Sequence, residues 1–375
     1  MRLLDRRGFL RVGAAATVAG LASACGGGGR SGATINYMGG TSDMEVLHKV
    51  PSFEDWLRRD GVVVRPQFIP DDTAALQKLA AGGPQGVNLV SWINQFRNGW
   101  RSLDLFAPLE TARIPHYANV IQDFGGPSFA GTQRDAQGRV IAIPETWSVS
   151  GIVYDSAAMP APTSYTDLLD PKYKGRVAML DDPGATMIIG CLILGYDPPA
   201  LTKAQFREVI DLMGRFVKAC RALPQGSADL TTLMGSGEVI ACPVDASFLP
   251  KMLDQGKKSF RVTIALKEGG FSYGTLMSTL KNADDTDAVH AFLDHFLTDD
   301  VAQAMAKRSP SVMAIKGATK YLPDWYTESV PVNDLPKLFH DNPSLDFPPA
   351  QATGPDRIGL SEFLTGWQQA KVGAR

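Results

Sequence analysis

Along residues 33–315, short runs of β-branched and apolar residues alternate with stretches whose apolar positions recur every three or four residues. The short runs predict strands over 34–38, 62–68, 87–91, 140–144, 151–154, 176–180, 238–243, 260–266 and 275–280. The clearest helix follows Thr202, where Thr202-Lys203-Ala204-Gln205 is a capping box and Leu201 with Phe206 can staple the first turn. Its residues Phe206, Val209, Ile210, Met213, Phe216 and Val217 keep the spacing of one buried face. Further helices are predicted over 72–81, 183–194, 228–234, 284–297 and 299–308, with Asp182 as N-cap and Pro183 as first helical residue of the second of these. Strands alternating with helices predict an α/β fold of open, largely parallel sheets covered by helices.

The first residues do not share this pattern. Asp5-Arg6-Arg7-Gly8-Phe9-Leu10-Arg11 places adjacent arginines before a Phe-Leu pair, and a mildly apolar Ala/Gly-rich stretch follows up to Ala24. Residues 1–24 therefore read as an export signal, too short for a membrane span, and the arginine pair resembles a twin-arginine signal. Leu21-Ala22-Ser23-Ala24-Cys25 resembles a bacterial lipoprotein box, in which Cys25 would carry the lipid; cleavage after Ala24 without lipidation also fits the small residues there. Residues 25–32 then form a glycine-rich tether. The expected location is the periplasm or the outer face of the cytoplasmic membrane.

Composition narrows the function classes. The chain has 375 residues with 37 Lys+Arg and 39 Asp+Glu, and this near-neutral balance lacks the basic excess of a nucleic-acid binder. Without residues 1–24, which hold four arginines and one aspartate, 33 basic and 38 acidic residues remain over 351 positions, net −5. If Cys25 carries a lipid, Cys191, Cys220 and Cys242 are left; the sequence around them reads as small buried hydrophobes rather than a disulfide framework.

Several motifs of catalysis do not occur. There is no His-Glu-x-x-His, no phosphate-binding glycine loop ending in Gly-Lys-Ser/Thr and no Cys-x-x-Cys. His48, His116, His290, His295 and His340 have no metal-ligand spacing, and the acid pairs Asp284-Asp285 and Asp299-Asp300 fall at helix starts, where carboxylates favour the dipole. A protein that is not an enzyme, with no metal and no cofactor, is the expectation.

Residues 164–182, Ser-Tyr-Thr-Asp-Leu-Leu-Asp-Pro-Lys-Tyr-Lys-Gly-Arg-Val-Ala-Met-Leu-Asp-Asp, resemble a segment of bacterial periplasmic solute-binding proteins. In the same order follow further similarities. They are Ala142-Ile143-Pro144 with Trp147 and Gly151-Ile152-Val153-Tyr154, Gly235-Ser236-Gly237-Glu238-Val239 with Ala246-Ser247-Phe248, Lys267-Glu268-Gly269-Gly270, and Asp299-Asp300-Val301-Ala302-Gln303. Together they cover most of residues 33–315 and resemble the spermidine/putrescine-binding branch that delivers ligand to an ABC importer. The resemblance implies a two-lobed, hinge-linked monomer, with lobe 1 at about 33–144 plus 275–312 and lobe 2 at about 145–274 plus 313–375. Its partners would be a small solute, an ABC permease in the inner membrane and the membrane itself through the lipid, with no nucleic acid.

For the ligand the resemblance is incomplete. Asp182 matches a family carboxylate at a helix start, but Ala185 stands where the family has a second acid. Tyr273 keeps an aromatic position, while Thr275 replaces the acid two residues on; a family Trp is lost near Pro243, where Asp245 offers another carboxylate. Ammonium groups call for carboxylates and aromatic walls, so the loss of acids points to a ligand with fewer amines than spermidine, with an amino-acid-like zwitterion or carboxylate as the alternative. Wall candidates are Gly39, Gly40 and Thr41 after the first strand, Trp92 after the third, and Trp147, because ligands of open α/β sheets sit at the carboxyl ends of strands. Asp182 reads equally as a plain N-cap, the Gly39-Gly40 pair as a turn, and Trp92, Trp147 and Tyr273 as core aromatics. An exported enzyme or scaffold on the same fold is the remaining alternative.

Overall fold

One mixed sheet runs through the computed structural model, which describes residues 32–40, 42–69, 72–82, 86–121, 131–249, 253, 256, 258–308 and 312–374. The export signal, Cys25, most of the glycine tether and Thr41 lie outside the described residues. The strands are β1 (Thr34–Gly39), β2 (Val63–Phe68), β3 (Leu89–Ile93), β4 (Ile143–Asp155), β5 (Val177–Ala178), β6 (Cys220–Ala222), β7 (Ala241–Asp245), β8 (Phe260–Thr263), β9 (Phe271–Thr279) and β10 (Val312–Met313). Their order is β2-β1-β3-β9-β4-β7-β5-β6, with β8 and β10 also paired to β4.

The two flanks are the predicted parallel ladders. β1 pairs in parallel with β2 and β3 on one side, and β5 pairs in parallel with β6 and β7 on the other. Between them the sheet is antiparallel, because β9 pairs with β3 and β4, and β4 with β7. The strands predicted over 140–144 and 151–154 are one strand of 13 residues, all but its last residue buried. Thr146-Trp147-Ser148-Val149-Ser150 alternates polar and apolar at period 2 and joins the two runs, with Glu145, Thr146, Ser148 and Ser150 all buried. Ser148 donates to Asp245 Oδ1 at 3.2 Å, and the Thr146 and Thr275 hydroxyls lie 2.7 Å apart.

Apolar residues on the two sides of the sheet form two cores. Ile35, Tyr37, Leu89, Trp147 and Val149 pack with Phe53, Trp56 and the helices Thr286–Phe296 and Asp299–Arg308 on one face. Met38, Val90, Trp92, Ile152 and Tyr154 pack with the helices Pro183–Leu194, Lys203–Ala219 and Leu360–Gly373 on the other. The capping box forms as predicted: Gln205 N–H donates to Thr202 Oγ1 and Thr202 N–H to Gln205 Oε1. Helix Pro183–Leu194 starts at Asp182, whose carboxylate accepts the Ala185 N–H at 3.0 Å, and ends at Gly195, where φ of 71° requires glycine. Helix Thr286–Phe296 begins two residues later than the expected 284, and its N-cap Asp285 has φ of 52°. No described helix is long and apolar enough to cross a membrane.

The motif segments of the sequence meet one another. Ser164 Oγ donates to Glu268 Oε1 at 2.5 Å, joining the segment that begins at Ser164 to Lys267-Glu268-Gly269-Gly270. Gly269 has φ of 74°, and a Cβ on Gly270 would stand 2.4 Å from the Ser150 carbonyl oxygen, so both glycines are required where this turn crosses β4. Cys191 and Cys242 are buried, Cys220 half-buried, and all three thiols are free. Burial pushes Cys191 and Cys220 up to about 12, as expected for cysteines acting as small hydrophobes.

Candidate functional site

A cleft of about 390 Å³ opens where β3, β5 and β7 end. Its walls come from the start of helix Asp72–Ala80, from Ile93 at the end of β3 with Gln95 and Phe96 after it, and from the first turns of helix Pro183–Leu194. The ends of β7 and the start of β9 add Pro243, Val244, Asp245, Phe271 and Tyr273. Strand carboxyl ends are where an open α/β sheet leaves its side chains and loops free to meet a ligand. Phe347 closes the cleft from the C-terminal segment. Its ring packs edge-on against Phe96 at 4.7 Å, its N–H donates to the Gln95 carbonyl at 3.1 Å, and a Cβ on Gly184 would stand 2.7 Å from it. Glycine at position 184 therefore lets this ring approach the helix start.

The walls are mostly apolar, and three of their polar groups are carboxylates. Asp182 is exposed and caps its helix. Asp245 is 8% exposed and accepts from Ser148 and from the Ser247 N–H at 2.7 Å. The half-buried Tyr273 also bonds Asp245; burial, then the nearby negative charge, pushes its hydroxyl well above its ordinary value, so it stays a donor to the carboxylate. Asp72 is 5% exposed and accepts from the Ile93 N–H at 3.0 Å and the Trp100 indole N–H at 2.9 Å. Among the described residues no lysine, arginine, histidine or cysteine lines the cleft. Arg97, one position beyond Phe96, is ion-paired with Asp346.

Of the residues singled out from the sequence, the fold gathers Asp182, Asp245 and Tyr273 into this cleft. The others stand elsewhere. Trp92 is buried in a stack with Phe106 at 5.3 Å, and its indole N–H donates to Ser278 at 2.9 Å, so it is a core aromatic. Trp147 is buried on the opposite face of the sheet, edge-on to Phe339 at 5.1 Å. Thr275 is bonded to Thr146 across β4 and β9. Gly39 lies at the end of β1 against the Tyr37 ring and Ser91, and Gly40 is exposed beside it; neither lines the cleft. Asp72, Gln95, Phe96, Phe271 and Phe347 were not foreseen. Asp72 was legible only as a helix start, and Phe347 sits in an irregular segment brought to β3 by contacts distant in sequence.

The histidines do not form a site. His290 is buried, accepts the Glu110 N–H at Nε2 and has Nδ1 2.7 Å from the Thr286 carbonyl oxygen, so it is a satisfied core residue. His295 stacks on Trp56 at 4.6 Å. Among the described residues no group of three His, Cys, Asp or Glu side chains is arranged to hold a metal ion.

The fold is shared with known transport proteins. The spermidine/putrescine ABC transporter substrate-binding protein PotD of Streptococcus pneumoniae is similar at a TM-score of 0.68 and 18% identity, over 90% of this chain and 99% of that one. A putative spermidine/putrescine ABC transporter protein of Listeria monocytogenes gives 0.72 and 17%, over 91% and 98%. The TpPotD lipoprotein of Treponema pallidum gives 0.71 and 14%, over 90% and 99%. Among curated proteins none matches the chain. These similarities establish the two-lobed α/β fold of periplasmic binding proteins. Residues 61–334, more than half of the sequence, match the family described as bacterial extracellular solute-binding protein, and the chain belongs to that family.

Proposed function

We propose that the protein captures a small cationic amine in this cleft and delivers it to the permease of an ABC importer, as an exported protein held to the membrane by a lipid on Cys25. The observation that carries the amine reading is the set of three aspartates, Asp72, Asp182 and Asp245, in a mostly apolar and aromatic lining that holds no basic residue among the described residues. Ammonium groups gain from carboxylates in poorly hydrated surroundings and from aromatic faces. Among the described residues a carboxylate ligand finds no counter-charge there, and the helix start at Pro183 offers it little. Pro183 has no N–H and the Ala185 N–H is already taken by Asp182, which leaves the Gly184 N–H alone in the first three positions.

The similar proteins named for spermidine and putrescine support an amine, at identities that carry the fold alone. A putrescine-sized ligand fits the reduced acid count better than a longer polyamine. We assign lobe 1 to about 33–144 plus 275–312 and lobe 2 to about 145–274 plus 313–375. The long strands β4 and β9 then pass between lobes, and closure about them would enclose the ligand. The protein would bind its cargo and release it unchanged.

A thermal-shift panel of putrescine, spermidine, γ-aminobutyrate and simple amino acids tests the reading. A ligand at about 100 times its Kd adds roughly 2.7 kcal/mol to the folded state. Stabilisation by putrescine with none by γ-aminobutyrate is the expected result; stabilisation by the amino acids alone would reject it.

A further inference from the structure

Gln95 is 3% exposed and lines the cleft between Ile93 and Phe96. Its amide orientation is set by the fold. One end lies 3.3 Å from the Ser272 carbonyl oxygen, which can only accept, so that end must be Nε2 and the other Oε1. Oε1 is buried and has no hydrogen-bond donor among the described residues. Its neighbour differs: Asn94 accepts the Gly274 N–H at 2.7 Å through Oδ1 and donates to Ser344 through Nδ2. Gln95 thus lines the cleft while carrying one strong acceptor that is fixed in direction, shielded from water and without a partner. Leaving such an atom unmet is costly, and a ligand N–H would relieve that cost.

We infer that Gln95 reads the hydrogens of the ligand's ammonium group, and that the cleft therefore selects primary amines over their N-methylated counterparts. This rests on the amine reading above. Carboxylates and aromatic rings attract any cation, including a quaternary one. An amide oxygen gives a directional bond only to a cation that carries N–H, so it supplies the discrimination that charge alone does not.

Isothermal titration of the full chain with putrescine, and with its analogue bearing a trimethylammonium at each end, tests this. The wild-type protein should bind putrescine at least tenfold more tightly than the methylated analogue. Gln95→Leu, close in size and without the acceptor, should bring the two affinities to within about threefold of one another, with the unliganded melting temperature as control for folding. A Gln95→Leu protein that retains the full preference overturns the role of Gln95 while leaving the amine reading intact. Failure of every amine to bind the wild-type protein overturns both.

Discussion

The aromatic stack around Trp92 and the cleft around Gln95 are neighbours along the chain, at the end of β3, and they differ in how their polar groups are met. In the stack, Trp92, Trp100 and Phe106 pack face to face or tilted, and both indole N–H groups have acceptors, Ser278 for Trp92 and Asp72 for Trp100. Nothing remains there to offer a ligand. In the cleft, Phe96 and Phe347 provide a similar apolar surface, but the polar groups beside it are carboxylates and an amide oxygen without a donor. The cleft differs from this stack by its unfinished hydrogen bonding rather than by its aromatic content. Asp72 belongs to both regions, since it lines the cleft while accepting the Trp100 indole N–H.

The comparison breaks first if the stack is cut. Trp92→Ala should cost about 3–5 kcal/mol of stability, measured by urea unfolding, because it opens a large cavity and strands the Ser278 hydroxyl. Amine affinity of the protein that remains folded should change little. Next in size is Asp245→Asn, which keeps an acceptor for Ser148 and the Ser247 N–H but removes the charge. Calorimetry should show putrescine affinity falling by about 2 kcal/mol or more, with a much smaller change in unfolding.

Asp182 separates the two roles that its position allows. Asp182→Ala should lose about 1 kcal/mol of stability with the cap, whereas Asp182→Ser keeps a capping oxygen and loses almost none; both should weaken amine binding. The smallest effect concerns Cys191, in the helix whose Ile188 and Ile189 line the cleft. Its folded pKa of about 12 lies above the roughly 8.5 of an unfolded thiol, so the folded state holds this proton more tightly. The stability it contributes is complete below about pH 8.5 and is lost as pH rises toward 12. Thiol labelling of the native protein at pH 8 should accordingly be slow at Cys191 and become fast on addition of denaturant.

What could be read beforehand follows the range of the forces involved. Helix Pro183–Leu194 was legible because its signals are local: Asp182, Pro183, a continuous apolar run and Gly195. Helix Lys203–Ala219 was legible from its capping box and one-sided apolar period. Strand β4 shows in the sequence as two runs because its buried Ser148 and Thr146 side chains are met across the sheet by Asp245 and Thr275, about a hundred residues away. The same reason hid half of the cleft. Asp182 and Asp245 announce themselves as carboxylates at a helix start and a strand end, but Phe347 reaches Gln95 across 252 positions of chain, and no local pattern reports that meeting. Trp92 and Trp147 looked like wall residues because indole suits a cation; the fold instead finishes the Trp92 N–H with Ser278 and buries Trp147 behind the sheet.

The central claim is that the aspartates of the cleft hold an ammonium group. Its most direct test is the Kd of putrescine, measured by isothermal titration for the wild-type protein and for the Asp182→Ser, Asp245→Asn double variant. The account predicts binding by the first and at least a hundredfold weakening in the second, with the variant still folded. Equal affinity in the two proteins would contradict it.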